Sequence, residues 1–127
     1  MYERVEENPR VEEVIRQAID ADEHNDNAFA EMIMTQLAVE FPRLAIVHAY
    51  LGWVFSRAEK HRTAIEQARL AIQLDPTSER VSMMLFRVLW SAKEYVLAQE
   101  EMKRFVAVGH SEEYARMLEE WQQISAD

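Results

Sequence analysis

The stretch that decides the fold is Ala45–Ser78, which reads AIVHAYLGWVFSRAEKHRTAIEQARLAIQLDPTS. When the sequence is shifted against itself by 34 residues, this stretch aligns with the residues on either side of it. Small and apolar positions then recur in four series: Ala30, Ala64 and Ala98; Pro42 and Pro76; Ala18, Gly52 and Phe86; and Ala21, Phe55 and Leu89. A fixed period of this length is the signature of a repeat architecture. The period therefore predicts three stacked units.

The residues of the middle unit carry a resemblance to a known family. The pattern W-x2-L-G-x2-Y, A-x3-F and P aligns with these positions: His48, Leu51, Gly52, Phe55, Ala64, Ala68 and Pro76. This unit is similar to a tetratricopeptide repeat, although His48 and Ala68 replace large rings. In the third unit, Phe86 stands where the pattern prefers a small residue. The resemblance covers about residues 11–110, and it is weaker in the units at 11–43 and 79–110 than at 45–78.

The resemblance implies an all-α fold: one domain over 1–127, built as an α-solenoid of three helix-turn-helix repeats with a C-terminal capping helix. Start and stop signals predict where the helices lie. The expected ranges are about 9–22, 27–39, 43–57, 62–74, from a cap at Thr77 or Ser78 to 92, 94–108 and 112–125. Gly52 is expected where two helix backbones approach closely. Gly109 is expected to end the sixth helix in a left-handed conformation.

The last predicted helix has one apolar face, formed by Tyr114, Met117, Leu118, Trp121 and Ile124. A helix with one apolar and one polar face is suited to close the open end of a stack. The alternative is that Trp121 and its neighbours present a docking or dimer surface.

Composition narrows the class of protein. The chain has 127 residues, 49% of them apolar, and no cysteine. It has no signal-peptide pattern at its start and no apolar run of the roughly 20 residues that a membrane span needs. We therefore expect a cytoplasmic protein that does not bind membranes. The formal net charge of −9 opposes binding to phosphate backbones, so nucleic acid is not an expected partner.

No pattern in the sequence indicates catalysis. The four histidines, His24, His48, His61 and His110, fall in different units without metal-ligand spacing. Two isolated glycines cannot form a phosphate-binding loop, and no serine lies in a nucleophile-elbow context. We expect no enzyme activity, no metal and no cofactor.

In the family that the chain resembles, the first helix of each unit lines a concave groove that holds a partner's peptide or helix. Projected onto this sequence, the groove residues are Ile15, Ile19, Ala49, Tyr50, Trp53, Met83, Arg87 and Trp90. Trp and Tyr side chains and Arg87 suit a binding site, since Trp, Tyr and Arg are enriched in interface hot spots. The alternative for Trp53 and Trp90 is a place in the core. The clamp that some such repeats use for acidic C-termini is not expected, because no asparagine falls on this face.

Three functions fit these observations. The first is a protein-interaction module, an adaptor or scaffold that binds an apolar or amphipathic segment of another protein. The second is a small acidic chaperone of the type that keeps type III secretion substrates soluble. The third is a structural subunit that associates with its own copies as a homo-oligomer.

Overall fold

The computed structural model describes residues 8–126, which form seven α-helices and no β-strand. The helices are α1 Pro9–Glu23, α2 Asn27–Glu40, α3 Ala45–Arg57, α4 His61–Leu74, α5 Glu79–Ser91, α6 Tyr95–Val106 and α7 Glu112–Ala126. The predicted all-α fold class is confirmed. Three helix pairs follow one another along the chain, and α7 follows the last pair.

Four helices begin at a side chain that caps a backbone N–H. The caps are Asn8 to Val11 at 3.2 Å, Asp26 to Phe29 at 3.1 Å, Ser78 to Val81 at 3.2 Å and Ser111 to Tyr114 at 3.1 Å. The predicted ranges differ from the observed ones mainly at two ends. Helix α3 begins at Ala45 because Leu44 is extended, with φ −88° and ψ 113°, and α6 ends at Val106.

The turn inside each helix pair has the same backbone conformation and the same backbone hydrogen bond in all three units, at positions 34 residues apart. Asn25, Glu59 and Lys93 have φ values of 61°, 62° and 63°. The N–H of the following residue reaches back to the helix in each turn: Asp26 to the Ala21 carbonyl at 2.8 Å, Lys60 to Phe55 at 2.9 Å and Glu94 to Leu89 at 2.9 Å. This is the Schellman ending of a helix, in which glycine usually takes the left-handed position. Here three other residues take it.

The predicted left-handed conformation of Gly109 is wrong, since neither glycine has a positive φ. Gly109 is instead fixed by a close contact. A Cβ on Gly109 would lie 2.7 Å from Cζ of Phe105. The absence of a side chain therefore lets the chain after α6 fold back over the Phe105 ring.

The close approach predicted at Gly52 is confirmed. A Cβ at this position would lie 2.9 Å from the carbonyl oxygen of Ala64 and 3.1 Å from the backbone nitrogen of Ala68. Both alanines are fully buried in α4. Small residues on both helices thus allow the backbones of α3 and α4 to touch.

The third unit packs differently because Phe86 replaces the glycine. Rings surround it: Tyr114 of α7 lies 5.8 Å from Phe86 and 5.8 Å from Phe105, measured between ring centroids. Tyr114 is fully buried. Helix α7 therefore contributes a ring to the core of the third unit.

A buried polar network lies beside these rings. The Ser82 hydroxyl donates to Glu101 at 2.6 Å and lies 2.8 Å from the Tyr114 hydroxyl. Arg104 donates to both oxygens of Glu101 at 2.7 Å and to the Pro76 carbonyl at 2.9 Å. Burial raises the pKa of Tyr114, and the hydrogen bonds to Glu101 raise the pKa of Arg104. The carboxylate is stable at this depth because it is paired and hydrogen-bonded.

The second unit has an equivalent arrangement with different residues. His48 and Gln67 stand 34 residues before Ser82 and Glu101. His48 Nδ1 lies 2.9 Å from Gln67 Oε1, and Nε2 donates to the Pro42 carbonyl at 2.7 Å. In both units a side chain thus binds the proline carbonyl between consecutive units.

Two groups of apolar side chains fill the interior and meet at Phe55 and Ile72. One contains residues of the first two units together with Val81 and Met84 of α5, and the other contains residues of the third unit and α7 together with Ala64 and Ala68 of α4. Within residues 8–126, no helix combines the length and the apolar character that crossing a membrane requires.

Candidate functional site: the inner face

Helices α1, α3 and α5 are the first helices of the three units, and α3 contacts both of the others. The eight predicted groove residues lie on these helices, and we call the surface that they share the inner face. Equivalent residues stand 34 apart, so each set of three forms a row across the helices. Ile15, Ala49 and Met83 form one row, and Ile19, Trp53 and Arg87 form the next.

Half of the predicted residues are covered and half reach solvent. Buried are Ile15, Ala49, Tyr50 and Met83, with exposed fractions of 2%, 0%, 9% and 8%. Half-buried or exposed are Ile19, Trp53, Arg87 and Trp90, and Trp90 is 43% exposed. We call these last four residues the open patch. It lies in the later part of the three helices.

An ion pair covers the earlier part of the inner face. Arg80 in α5 donates to both oxygens of Glu12 in α1, at 2.8 and 3.2 Å. It also donates to the Tyr50 hydroxyl at 3.3 Å, and its guanidinium carbon lies 5.1 Å from the centroid of the Tyr50 ring. The hydrogen bond to Glu12 raises the pKa of Arg80. This bridge joins the first unit to the third across the second, which explains why Tyr50 is buried.

A second ion pair joins the C-terminal ends of α1 and α3. Arg57 Nε donates to both oxygens of Asp22 at 3.1 Å. The Asp22 side chain is only 10% exposed, whereas that of Arg57 is 56% exposed. Two of the arginines at the inner face are thus neutralised by carboxylates of the first unit.

Arg87 differs from these two arginines. Its side chain is exposed, and no ion pair formed within residues 8–126 includes it. The residues three and four positions away along α5 are Met83, Met84, Trp90 and Ser91, none of which is charged. Along α5 the guanidinium therefore has no charged neighbour one turn away, and its donors are available to a ligand.

Trp90 packs against three other aromatic rings. Phe86 stacks on it at 5.7 Å with an interplanar angle of 19°, and Trp121 of α7 stacks at 6.3 Å and 15°. Tyr95 meets it edge-on at 4.7 Å. The exposed part of Trp90 therefore borders a ring stack that attaches α7, so Trp90 belongs both to the surface and to the packing of the last helix.

Glu12 and Arg80 are residues of the inner face that the sequence pattern did not predict. One signal could have found them: they carry opposite charges and stand 68 residues apart, twice the period. Their long side chains meet across the second unit, and the period alone does not state how near equivalent positions of the first and third units lie.

The remaining titratable groups do not assemble around the open patch. Among residues 8–126, no three histidine or acidic side chains are grouped to hold a metal ion. His24 Nδ1 lies 2.8 Å from the Asp20 carbonyl, and this hydrogen bond, followed by the charge of Asp20, raises the pKa of His24.

Comparison with known proteins places this geometry in a class. No family profile and no curated protein sequence matches the chain. Among solved structures, the chain is similar to the Sgt2 TPR domain from Aspergillus fumigatus, with a TM-score of 0.73, 20% identity and coverage of 94% of this chain and 81% of that one. It is also similar to the first TPR of Spaghetti (RPAP3) bound to the HSP90 peptide SRMEEVD, with a TM-score of 0.69, 13% identity and coverage of 90% and 94%.

The chain thus has the fold of a tetratricopeptide-repeat domain. The similarity extends over most of its length. It confirms the tetratricopeptide-repeat fold that the repeat pattern of the sequence predicts.

Proposed function

We propose that this domain is a protein-interaction module that binds an apolar or amphipathic segment of a partner protein at the open patch. The observation that carries the proposal is the row of Ile19, Trp53 and Arg87, with Trp90 one turn further along α5, because these residues leave apolar surface and one cation exposed on the inner face. Trp and Arg are the side chains that most often dominate binding energy.

Two further points support a protein as the ligand. A net charge of −9 disfavours nucleic acid. In addition, a solved domain of the same fold holds a peptide. We propose that the module acts by binding alone and needs no cofactor.

Capture from a lysate of the native host tests the proposal. The test variant is Trp53→Ala/Arg87→Ala, which leaves Trp90 in place because Trp90 also attaches α7. The matched control is Met32→Ala/Arg69→Ala, which removes one apolar and one basic side chain from exposed positions of α2 and α4. Circular dichroism is to be used to check that both variants are folded.

A partner that binds the wild type and the control but not the test variant supports the open patch. Equal capture by all three overturns it. Recovery of the protein's own copies alone would favour the self-associating subunit, which analytical ultracentrifugation at several concentrations would measure.

A further inference from the structure

We infer that the segment bound at the open patch carries a side-chain carboxylate, which pairs with Arg87, beside an apolar side chain that packs on Trp53. The inference rests on the proposed function and adds the chemistry of the partner. It commits to one occupant: a segment of another protein that contains Asp or Glu close to Leu, Phe or Trp.

The charges of the inner face lead to the carboxylate. Arg80 and Arg57 already bind Glu12 and Asp22, at 2.8 and 3.1 Å. Arg87 has no such partner within residues 8–126. A guanidinium presents planar donors that fit a carboxylate with two parallel hydrogen bonds. Because the other two arginines each bind a carboxylate, we expect the ligand of Arg87 to be an acidic side chain as well.

The neighbours of Arg87 lead to the apolar side chain. Trp53 holds the equivalent position on α3, and α3 packs beside α5. Packed helices lie about 8–10 Å apart. In an extended segment, which rises about 3.3 Å per residue, two groups at that separation are two or three residues apart. Both can then be bound at once, the acid on Arg87 and the apolar group on Trp53.

A library of displayed twelve-residue peptides, fused at their C-termini so that no free terminal carboxylate is present, provides the probe. Selection is carried out in parallel on the wild type, on Arg87→Glu and on Arg69→Glu, an equal change of charge at an exposed position of α4. Binders are retained if Trp53→Ala weakens them, which confines them to the open patch. The best wild-type binder is then synthesised with an amidated C-terminus, together with versions in which its acid is changed to the amide or to lysine.

The inference predicts that wild type and Arg69→Glu select Asp or Glu at a fixed distance from a large apolar residue. Amidation of that acid should weaken binding about tenfold, which is the lower end for a charge-assisted hydrogen bond. Arg87→Glu should instead select lysine or arginine at the same place, and it should bind the lysine version of the wild-type peptide.

Failure of the inference is distinguishable from failure of the proposed function. Binders that require Trp53 but show no acid, or that bind Arg87→Glu equally well, overturn the carboxylate while leaving the groove function intact. A selection that yields no peptide sensitive to Trp53→Ala overturns both.

Discussion

Replacing Gly52 with alanine sets two effects of known size against each other. In the interior of a helix, alanine is about 1 kcal/mol more favourable than glycine. The added Cβ, however, would lie 2.9 Å from the carbonyl oxygen of Ala64 and 3.1 Å from the nitrogen of Ala68. Both are backbone atoms, so no rotation of a side chain relieves the overlap, and α3 and α4 must separate.

Overpacking a core costs about 1–3 kcal/mol, and a contact with backbone atoms belongs in the upper half of that range, at about 2–3 kcal/mol. We therefore expect Gly52→Ala to lower the free energy of unfolding by about 1–2 kcal/mol after the gain in helix propensity. For a domain of this size the loss corresponds to a fall in Tm of about 4–8 °C.

Equilibrium unfolding in urea, followed by circular dichroism at 222 nm, measures the change in free energy. The double variant Gly52→Ala/Ala68→Gly serves as a control, because the Ala68 methyl lies at an ordinary 3.4 Å from the new Cβ. Removing that methyl should not restore stability. A Gly52→Ala protein as stable as the wild type would refute the close approach of α3 and α4.

Three more predictions concern the surface. Glu12→Gln should lower the free energy of unfolding by about 1 kcal/mol, and by less in high salt, because a partly exposed ion pair with Arg80 is modest and screened; equal stability at low salt would count against the bridge. The pKa of His24, measured by NMR, should lie above the ordinary histidine value of 6.5. Since this pKa is raised by folding, the stabilising contribution of His24 is complete below the unfolded pKa and is lost as the pH rises through the folded one; a titration at or below the ordinary value would contradict the contact with Asp20. Finally, α2 should accept the outward residues of α4 with a change of less than about 0.5 kcal/mol, and a large loss would mean that another surface covers α2 in solution. The substitutions are Ala28→Arg, Met32→Glu, Thr35→Arg and Val39→Gln, copied from Arg62, Glu66, Arg69 and Gln73.

Much of the fold could be predicted from the sequence because the 34-residue period indicates both where paired helices touch and where one unit ends and the next begins. The series that contains Gly52 locates the contact between paired helices, and the prolines separate the units. Capping residues such as Asn8 and Ser78 then fix helix starts. The left-handed conformation predicted for Gly109 was wrong because the glycine was interpreted as a sign of positive φ. It is required instead by the close contact with the Phe105 ring.

The inner face could be predicted only in part. Spacing of three and four residues identifies which side chains share a face of one helix. It does not state how far side chains of the first and third units extend over the second. Tyr50 is covered by Arg80, which belongs to the next unit, while Trp53 remains accessible. The divided role of Trp90 likewise depends on Trp121, which lies outside the repeats.

The turns at Asn25, Glu59 and Lys93 have a consequence for how this domain can change. A residue other than glycine in a left-handed conformation costs roughly 1–2 kcal/mol, and less for asparagine. Glu59 and Lys93 therefore hold a reserve of stability at positions that are not part of the open patch. Glycine or asparagine at either position would release part of it and could offset a destabilising substitution at Trp53 or Arg87. The residues of the open patch are thereby free to diversify while the rest of the domain remains folded.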